Sequence, residues 1–369
     1  MATGPTGGRG ARRAPQAAND SRARRREKEE GAPGIKRAVP KELHPEQALF
    51  QGERPFPVLP ACDHYAGSER FMRRALQLQA EHAAPFDVTL DLEDGASPGR
   101  EREHVELVAG LIAGAENVRG RAGARIHDYA SPFWRQDVEV LVHGAGRRLA
   151  HLTIPKATAA RQVVEMVTHV QATAAAAGLG REIPIHVLIE THGGLEDAFK
   201  IAALPWMRTL EFGLMDFVSG HHGAIPSSAM RSPGQFEHAL LRRARTRIAA
   251  AALAHGLVPV HNVTIDLDRP EQARQDAARA RAEFGFLRMW SIHPSQIDPI
   301  LQAFAPEGAD VAAAGAILLR ARDAGWGPIR LQDTLHDRAS YRFHWQVLQR
   351  ARLAGQELPN GVAEAFFPR

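Results

Sequence analysis

The stretch that decides the fold runs from Ile183 to Phe217 and reads IPIHVLIETHGGLEDAFKIAALPWMRTLEFGLMDF. Ile185 to Ile189 is almost wholly apolar, as a strand buried on both faces requires. Residues 194–203 carry apolar side chains at helical spacing. Thr209 to Leu214 is a second apolar run, in which Gly213 permits a sharp exit. Carboxylates follow the two runs, Glu190 and Asp216, and the interval between them is one strand–helix unit with its loops. The two acids are therefore expected at the carboxyl ends of neighbouring parallel strands, where α/β folds build their ligand and ion sites. Two oxygen ligands without a Cys or His cluster suit Mg²⁺, or Mn²⁺, rather than Zn²⁺. Taken singly, each acid also reads as a solvated loop acid or as a helix N-terminal one.

The same alternation extends in both directions. Strands are expected at Val58–Cys62, Phe86–Leu92, Ala124–Ile126, Leu149–Ile154, Val258–Thr264 and Leu287–Ile292. Helices are expected after Ser68 and at 100–115, 133–143, 158–177, 235–255, 271–284 and 295–303. With the central pair this makes eight strand–helix units, the size and alternation of a (β/α)₈ TIM barrel over residues 57–304. Residues 307–323 and 336–354 read as further helices in a C-terminal extension, 305–369. The ending ELPNGVAEAFFPR reads as a loop. No internal repeat and no Gly-rich phosphate fingerprint appears.

Charge is distributed unevenly. Residues 1–41 hold eleven Lys or Arg against four Asp or Glu, while the whole chain is only +4. The high isoelectric point therefore belongs to the first 41 residues, whose Gly, Pro, Ala and Arg composition is expected to be a disordered basic tail. It lacks aromatic residues to stack on bases, so nucleic acid is not the expected partner. The single cysteine, Cys62, excludes an internal disulfide and fits a reducing cytoplasm. No apolar run approaches the ~20 residues of a membrane span, and the first residues lack the apolar core of a signal peptide.

Polar groups collect where the expected strands end. They are Asp91, Glu93 and Asp94, then Arg125, Lys156, Glu190, Asp216 and His293. In a barrel these converge on one mouth. Mg²⁺ keeps several waters, so Glu93 and Asp94 are expected to hold the ion through them. Arg125 is a rigid fork able to clamp a carboxylate in two bonds. An ion plus such an arginine is what a 2-oxo acid needs. The alternatives are an internal ion pair with Glu93 or Asp94 for Arg125, a barrel-rim ion pair for Lys156, and a loop-anchoring role for His293.

The motifs LDLEDGASP at 90–98, ARIHDYASPFWRQDV at 124–138, IPK at 154–156, LIETHGG at 188–194, FGLMDF at 212–217 and SIHPSQI at 291–297 resemble the citrate lyase β-subunit and malyl-CoA lyase group within the HpcH/HpaI aldolases. The resemblance covers residues 57 to about 304. It implies Mg²⁺ on Glu190 and Asp216, and Arg125 on a substrate carboxylate. It also implies a 2-oxo acid and an acyl-CoA as substrates, and a homotrimer or homohexamer. Arg74 falls near the group's basic residue on the first helix and is expected at a phosphate, with Lys156 also facing substrate. Asp337, in a segment HDRAS that resembles the start of the last helix of malyl-CoA lyases, is implied as an acid–base group reaching a neighbouring subunit's barrel. The chain departs from the group in its first loop, ACDHYAGSE at 61–69, in His127 after Arg125, in Gly220-His221-His222, and in HNVTID at 261–266. These departures put the substrate pocket, and the use of coenzyme A, at issue.

Three functions follow. The first is a carbon–carbon lyase acting on a hydroxyacyl-CoA such as a malyl-CoA or citryl-CoA analogue. The second is a class II pyruvate aldolase acting on free 4-hydroxy-2-oxo acids, against which the long C-terminal extension argues. The third is a non-catalytic barrel that binds through its basic arm, against which the intact Glu190, Asp216 and Arg125 argue.

Overall fold

The computed structural model describes residues 43–96 and 98–368. The expected basic tail over residues 1–41 lies outside the described residues. Eight strands form a closed barrel in chain order: β1 (Cys62–Ala66), β2 (Asp87–Asp91), β3 (Ala122–Arg125), β4 (Leu152–Ile154), β5 (Ile185–Ile189), β6 (Met207–Phe212), β7 (Val258–His261) and β8 (Arg288–Ser291). Every neighbouring pair is parallel, and β8 closes on β1. A helix or helix pair follows each strand and buries its apolar face on the barrel, as Val105, Val108 and Ile112 do on Glu101–Ala113. This is the (β/α)₈ barrel expected from the alternation.

Several strand ends lie elsewhere than expected: β4 begins at Leu152 rather than Leu149, β7 stops at His261 rather than Thr264, and β1 and β6 shift in ways that bear on the mouth. The first was expected at Val58–Cys62 but begins only at Cys62. Pro55, Pro57 and Pro60 precede it, and a proline has no N–H for the ladder. The sixth was expected to run to Leu214 but ends at Phe212. Leu214 and Met215 instead open the short helix Leu214–Ser219, which carries Asp216 in its first turn. Asp216 is thus a helix residue above the strand end rather than a strand-terminal one.

The barrel interior explains why β1 was misread. Its lower part is polar, where such barrels are usually filled by branched apolar side chains. Asp63 of β1 accepts from Arg288 Nη2 at 2.6 Å and from Thr89 Oγ1 at 2.8 Å. Arg288 also pairs with Asp87. The rings of His151 and His186 stack at 4.1 Å, and His186 Nδ1 lies 3.1 Å from Glu211 Oε1. Above this plug sits an apolar layer of Tyr65, Leu188, Val260 and Trp290. The mouth lies above that.

The C-terminal extension consists of helix Gly308–Asp323, an antiparallel ribbon of β9 (Ile329–Leu331) and β10 (Thr334–His336), and helix Arg338–Leu353. The ending read as a loop contains a short helix, Val362–Phe366, because Val362 and Phe366 are buried. Helix Pro45–Phe50 docks on Arg338–Leu353, where the Leu49 carbonyl accepts from Arg338 Nε at 2.7 Å and from Arg342 Nη2 at 2.9 Å. Among the described residues, no helix is long and apolar enough to cross a membrane.

Candidate active site

β2 and β3 place the first pair of groups. Their register sets Asp91 opposite Arg125, each the last residue of its strand. Asp91 accepts from Arg125 Nε at 2.7 Å and from Nη2 at 2.5 Å. Asp91 is itself fixed by the backbone N–H groups of Glu93 and Gly95, at 3.0 and 2.8 Å. The backbone of Gly95 comes so near that a Cβ there would collide with the Asp91 carboxylate. This consumes only the side-on fork of the guanidinium. The end-on pair, Nη1 and Nη2, retains N–H groups, and Arg125 lines the central cavity. The expected ion pair with Glu93 also exists, with Glu93 Oε2 3.0 Å from Nη1. That contact lacks hydrogen-bond geometry and leaves a buried carboxylate oxygen without a donor.

β4 and β5 supply the next pair. Lys156 follows Pro155 with φ of 47°, a left-handed conformation uncommon outside glycine. That turn aims its backbone N–H at Glu190 Oε1, 2.6 Å away. Its Nζ donates to both Asp94 oxygens at 2.8 Å and to Glu93, and stands 3.9 Å from Asp216. Burial alone would lower the pKa of the Lys156 ammonium, but the hydrogen bonds to Asp94 and Glu93 outweigh it and raise it. The rim ion pair foreseen for Lys156 is therefore present.

Glu190 follows β5 directly and is 3% exposed. Its carboxylate packs on Gly213, where any Cβ would overlap it. Burial, and then the nearby Asp216 charge, push its pKa up to about 8. A carboxylate this reluctant to ionise, faced by a second acid, calls for a cation. Glu93 shows the same tendency, its pKa raised by burial against the pull of Arg125 and Lys156. The donor set at this corner is oxygen only, which fits Mg²⁺ or Mn²⁺.

A second group of ligand-type atoms, on Asp63, His151 and His186, lies within 4.8 Å of one another in the barrel plug. Arg288, wholly buried and bonded to Asp63, already supplies the positive charge there. That cluster is a structural ion pair with stacked imidazoles, not a cation site.

The mouth opens into a cavity of about 1420 Å³. It runs from Arg125, Glu190 and Asp216 to the face of helix Glu69–Glu81 that bears Arg70, Arg73 and Arg74. Arg74 is exposed and 3.8 Å from Glu81. Arg70 and Arg73 were not singled out from the sequence, although the run ERFMRR places three arginines on one turn and a half of helix.

Other expectations fare differently. Asp337 caps helix Arg338–Leu353, accepting from the Ala339 and Ser340 N–H groups at 3.0 and 3.4 Å. It does not line the cavity of its own chain. His293 anchors its loop through Ser295 at 2.8 Å and also lines the cavity. His221 and His222, expected to reshape the pocket, do not line it; His221 bonds back to the Phe217 carbonyl at 2.6 Å. His127 is held by Asp137, whose Oδ2 meets its Nδ1 at 2.7 Å and its N–H at 2.9 Å. Cys62 is buried, and burial pushes its thiol up to about 12, so it is no nucleophile.

Comparison with known proteins places the chain in a family. Residues 72–294 match the HpcH/HpaI aldolase/citrate lyase family. The chain is 28% identical over 297 residues to an L-malyl-CoA/β-methylmalyl-CoA lyase of Rhodobacter capsulatus, covering 76% of this chain and 92% of that one. It is 29% identical over 258 residues to a citrate lyase subunit β-like protein of Deinococcus radiodurans, covering 67% and 81%. A citrate lyase crystal structure from Burkholderia xenovorans superposes with a TM-score of 0.76 at 50% identity, over 88% of this chain and 100% of that one. The citrate lyase β subunit of Mycobacterium tuberculosis, solved with oxaloacetate and magnesium, superposes with a TM-score of 0.53 at 26% identity, over 68% and 98%. By its barrel, its mouth and this match over more than half its length, the chain belongs to the HpcH/HpaI aldolase/citrate lyase family of carbon–carbon lyases.

Proposed function

We propose that the protein is a Mg²⁺-dependent lyase that cleaves a hydroxyacyl-CoA, a malyl-CoA or citryl-CoA analogue, into an acyl-CoA and a 2-oxo acid. One observation carries the reading: a single cavity joins the acidic corner to the Arg70, Arg73 and Arg74 face. A free hydroxy-oxo acid has no use for that arginine face, whereas the phosphates of coenzyme A do. The names of the malyl-CoA lyase relative and the magnesium in the oxaloacetate-bound one support it.

Glu190 and Asp216 are assigned as ion ligands, with Glu93 and Asp94 holding the ion's waters. Mn²⁺ would serve in the same place. When bound, the ion supplies the charge that polarises the keto oxygen of the 2-oxo acid. Arg125, locked by Asp91 on one fork, presents the other to the acid's carboxylate. Lys156 adds a second positive charge beside it. Cleavage and condensation also need a base at the acyl α-carbon, and the acids at the mouth are already engaged.

Asp337 of a second copy is assigned that role, within a homotrimer or homohexamer. Its neighbours Leu335 and Phe343 are 70% and 62% exposed, and the cavity rim exposes Phe71 and Val118 at 63% and 66%. In this reading residues 57–304 form the catalytic barrel and 305–369 its lid, and the protein works in the cytoplasm.

The test is turnover of acyl-CoA and 2-oxo acid pairs with and without Mg²⁺. Asp337→Asn should lower kcat by about 10²–10⁴, and mixing it with Glu190→Ala subunits should restore part of the activity. No recovery after confirmed subunit exchange removes the shared site. Turnover of free 4-hydroxy-2-oxo acids alone would move the assignment to the pyruvate aldolases.

A further inference from the structure

β1 carries a second polar set on its outer face. Asp63 and Tyr65 point into the barrel, so the alternation of the strand turns Cys62 and His64 outward. The register of β8 against β1 sets Ser291 beside His64. Three side chains form a chain there. The Cys62 thiol donates to Ser291 Oγ at 3.4 Å, and Ser291 Oγ lies 2.8 Å from His64 Nδ1. Phe86 meets the imidazole edge-on, with 6.5 Å between ring centres.

This chain fixes the tautomer of the ring. Burial pushes the Cys62 thiol up to about 12, so Cys62 keeps its proton and is a donor. Among the described residues, Ser291 Oγ has no hydrogen-bond partner besides Cys62 and His64. The serine proton therefore goes to His64 Nδ1, which is the acceptor. Burial holds the His64 pKa down, at about 4, against the pull of Asp63, and the imidazole is neutral. Its one N–H is then on Nε2. Nε2 has no partner among the described residues, and it is not sealed from solvent. His64 is only 4% exposed and lines the cavity, so the little surface it shows there includes a fixed, uncharged donor.

The cavity has charge at both ends. Arg125, Glu190 and Asp216 stand at one, and Arg70, Arg73 and Arg74 at the other. His64 stands between them. Its neighbour Tyr65 has the Arg125 guanidinium 5.6 Å from its ring centre, and helix Glu69–Glu81, which bears the three arginines, follows β1 directly. Coenzyme A joins its phosphates to its thiol through an uncharged arm that contains two amides. A neutral N–H matches an amide carbonyl and does not compete with the arginines for phosphate.

We propose that His64 Nε2–H donates to a carbonyl oxygen of the pantetheine arm of an acyl-CoA, and that Ser291 and Cys62 hold the ring in the donor tautomer. The inference rests on the lyase reading above and deepens its use of coenzyme A. His64 lies in ACDHYAGSE, where the chain departs from its family, so the contact is not one that the resemblance implies.

The experiment titrates the full chain in a calorimeter with coenzyme A and, separately, with adenosine 3′,5′-bisphosphate, which carries the nucleotide end without the arm. His64→Leu should weaken coenzyme A by about five- to tenfold, the worth of one hydrogen bond, and leave the bisphosphate within about twofold. His64→Gln, whose amide nitrogen reaches about as far as Nε2, should recover most of the loss. Ser291→Ala releases the tautomer and should weaken coenzyme A alone, by about two- to threefold. Unchanged coenzyme A affinity in His64→Leu, or no recovery in His64→Gln, overturns the inference and leaves the lyase reading intact. An equal loss for both ligands also overturns it, since the effect would then lie at the arginine face. Should His64→Leu not fold, Ser291→Ala decides: a loss confined to coenzyme A supports the contact, and no loss overturns it. A wild-type protein without affinity for coenzyme A fails the lyase reading, and this contact falls with it.

Discussion

The barrel holds two charge clusters, one in its plug and one at its mouth, and they are built to opposite ends. In the plug, Arg288 is wholly buried between Asp63 and Asp87, and Thr89 and His151 extend the hydrogen-bonded network. At the mouth, five acids share two cations, and Lys156 and Asp216 keep 29% and 39% of their side-chain surface. Tyr65 and Trp290 separate the two. The first cluster is closed on itself, so its charges serve the fold. The second is unbalanced and open, so it has capacity left for an ion and a substrate. Buried charge alone did not distinguish them; the balance of charge and the route to solvent did.

Four experiments can break or sharpen that contrast. The largest effect should come from Glu190→Ala, which should abolish Mg²⁺-dependent turnover. A fall of more than about 10³-fold is expected, because the ion's charge stabilisation is worth several kcal/mol. Its melting temperature in chelator should not fall, since one acid is removed from among like charges. Retained activity would sink the ion-site assignment.

Arg288→Met should do the reverse. Removing one partner of a buried ion pair costs about 3–5 kcal/mol, read as a lower urea midpoint. The kcat/KM of the folded fraction should stay within a few-fold of wild type. Activity lost in step with metal binding would mean that the plug is not purely structural.

Arg125→Lys is next, at about 2–4 kcal/mol in kcat/KM, by analogy with deleting one preorganised donor. Lysine cannot hold Asp91 with one fork and a substrate with another. A variant near wild type would reduce Arg125 to a partner of Asp91 alone.

The smallest effect concerns His127, which lies beyond Arg125 and bonds to the buried Asp137. Burial lowers the His127 pKa, but the hydrogen bond from the ring to Asp137 outweighs this and the net shift is upward. A raised folded pKa means that the protonated pair stabilises fully below the unfolded value of about 6.5. That contribution is lost as pH rises through the folded pKa. The stability deficit of His127→Asn should therefore be larger at pH 6 than at pH 9, by urea titration. A deficit that grows with pH would show that the neutral ring makes the essential bond.

Much of this was legible in the chain. The unbroken apolar run Ile185–Ile189 marked a strand with both faces covered, and its recurrence with helices at a steady interval marked a parallel barrel. Acids and bases at run ends then marked the mouth, because only there do the strands release side chains toward solvent. The misreadings share one cause. Asp63 and His64 made β1 look like a loop, since a strand signal rests on apolar side chains and β1 is paired with buried polar ones. Leu214 looked like strand, since a short helix and a short strand carry the same apolar residues over so few positions.

The sequence by itself determined the elements, their order and the identity of the groups at the strand ends, because periodicity and turn chemistry act over a few residues. Only the tertiary structure decided which charges cancel. Arg125 and Asp91 are 34 positions apart, and Arg288 and Asp63 are 225 apart. Whether each pair closes on itself or leaves a fork and a carboxylate exposed to a cavity depends on strand register and depth in the barrel, which no local pattern encodes.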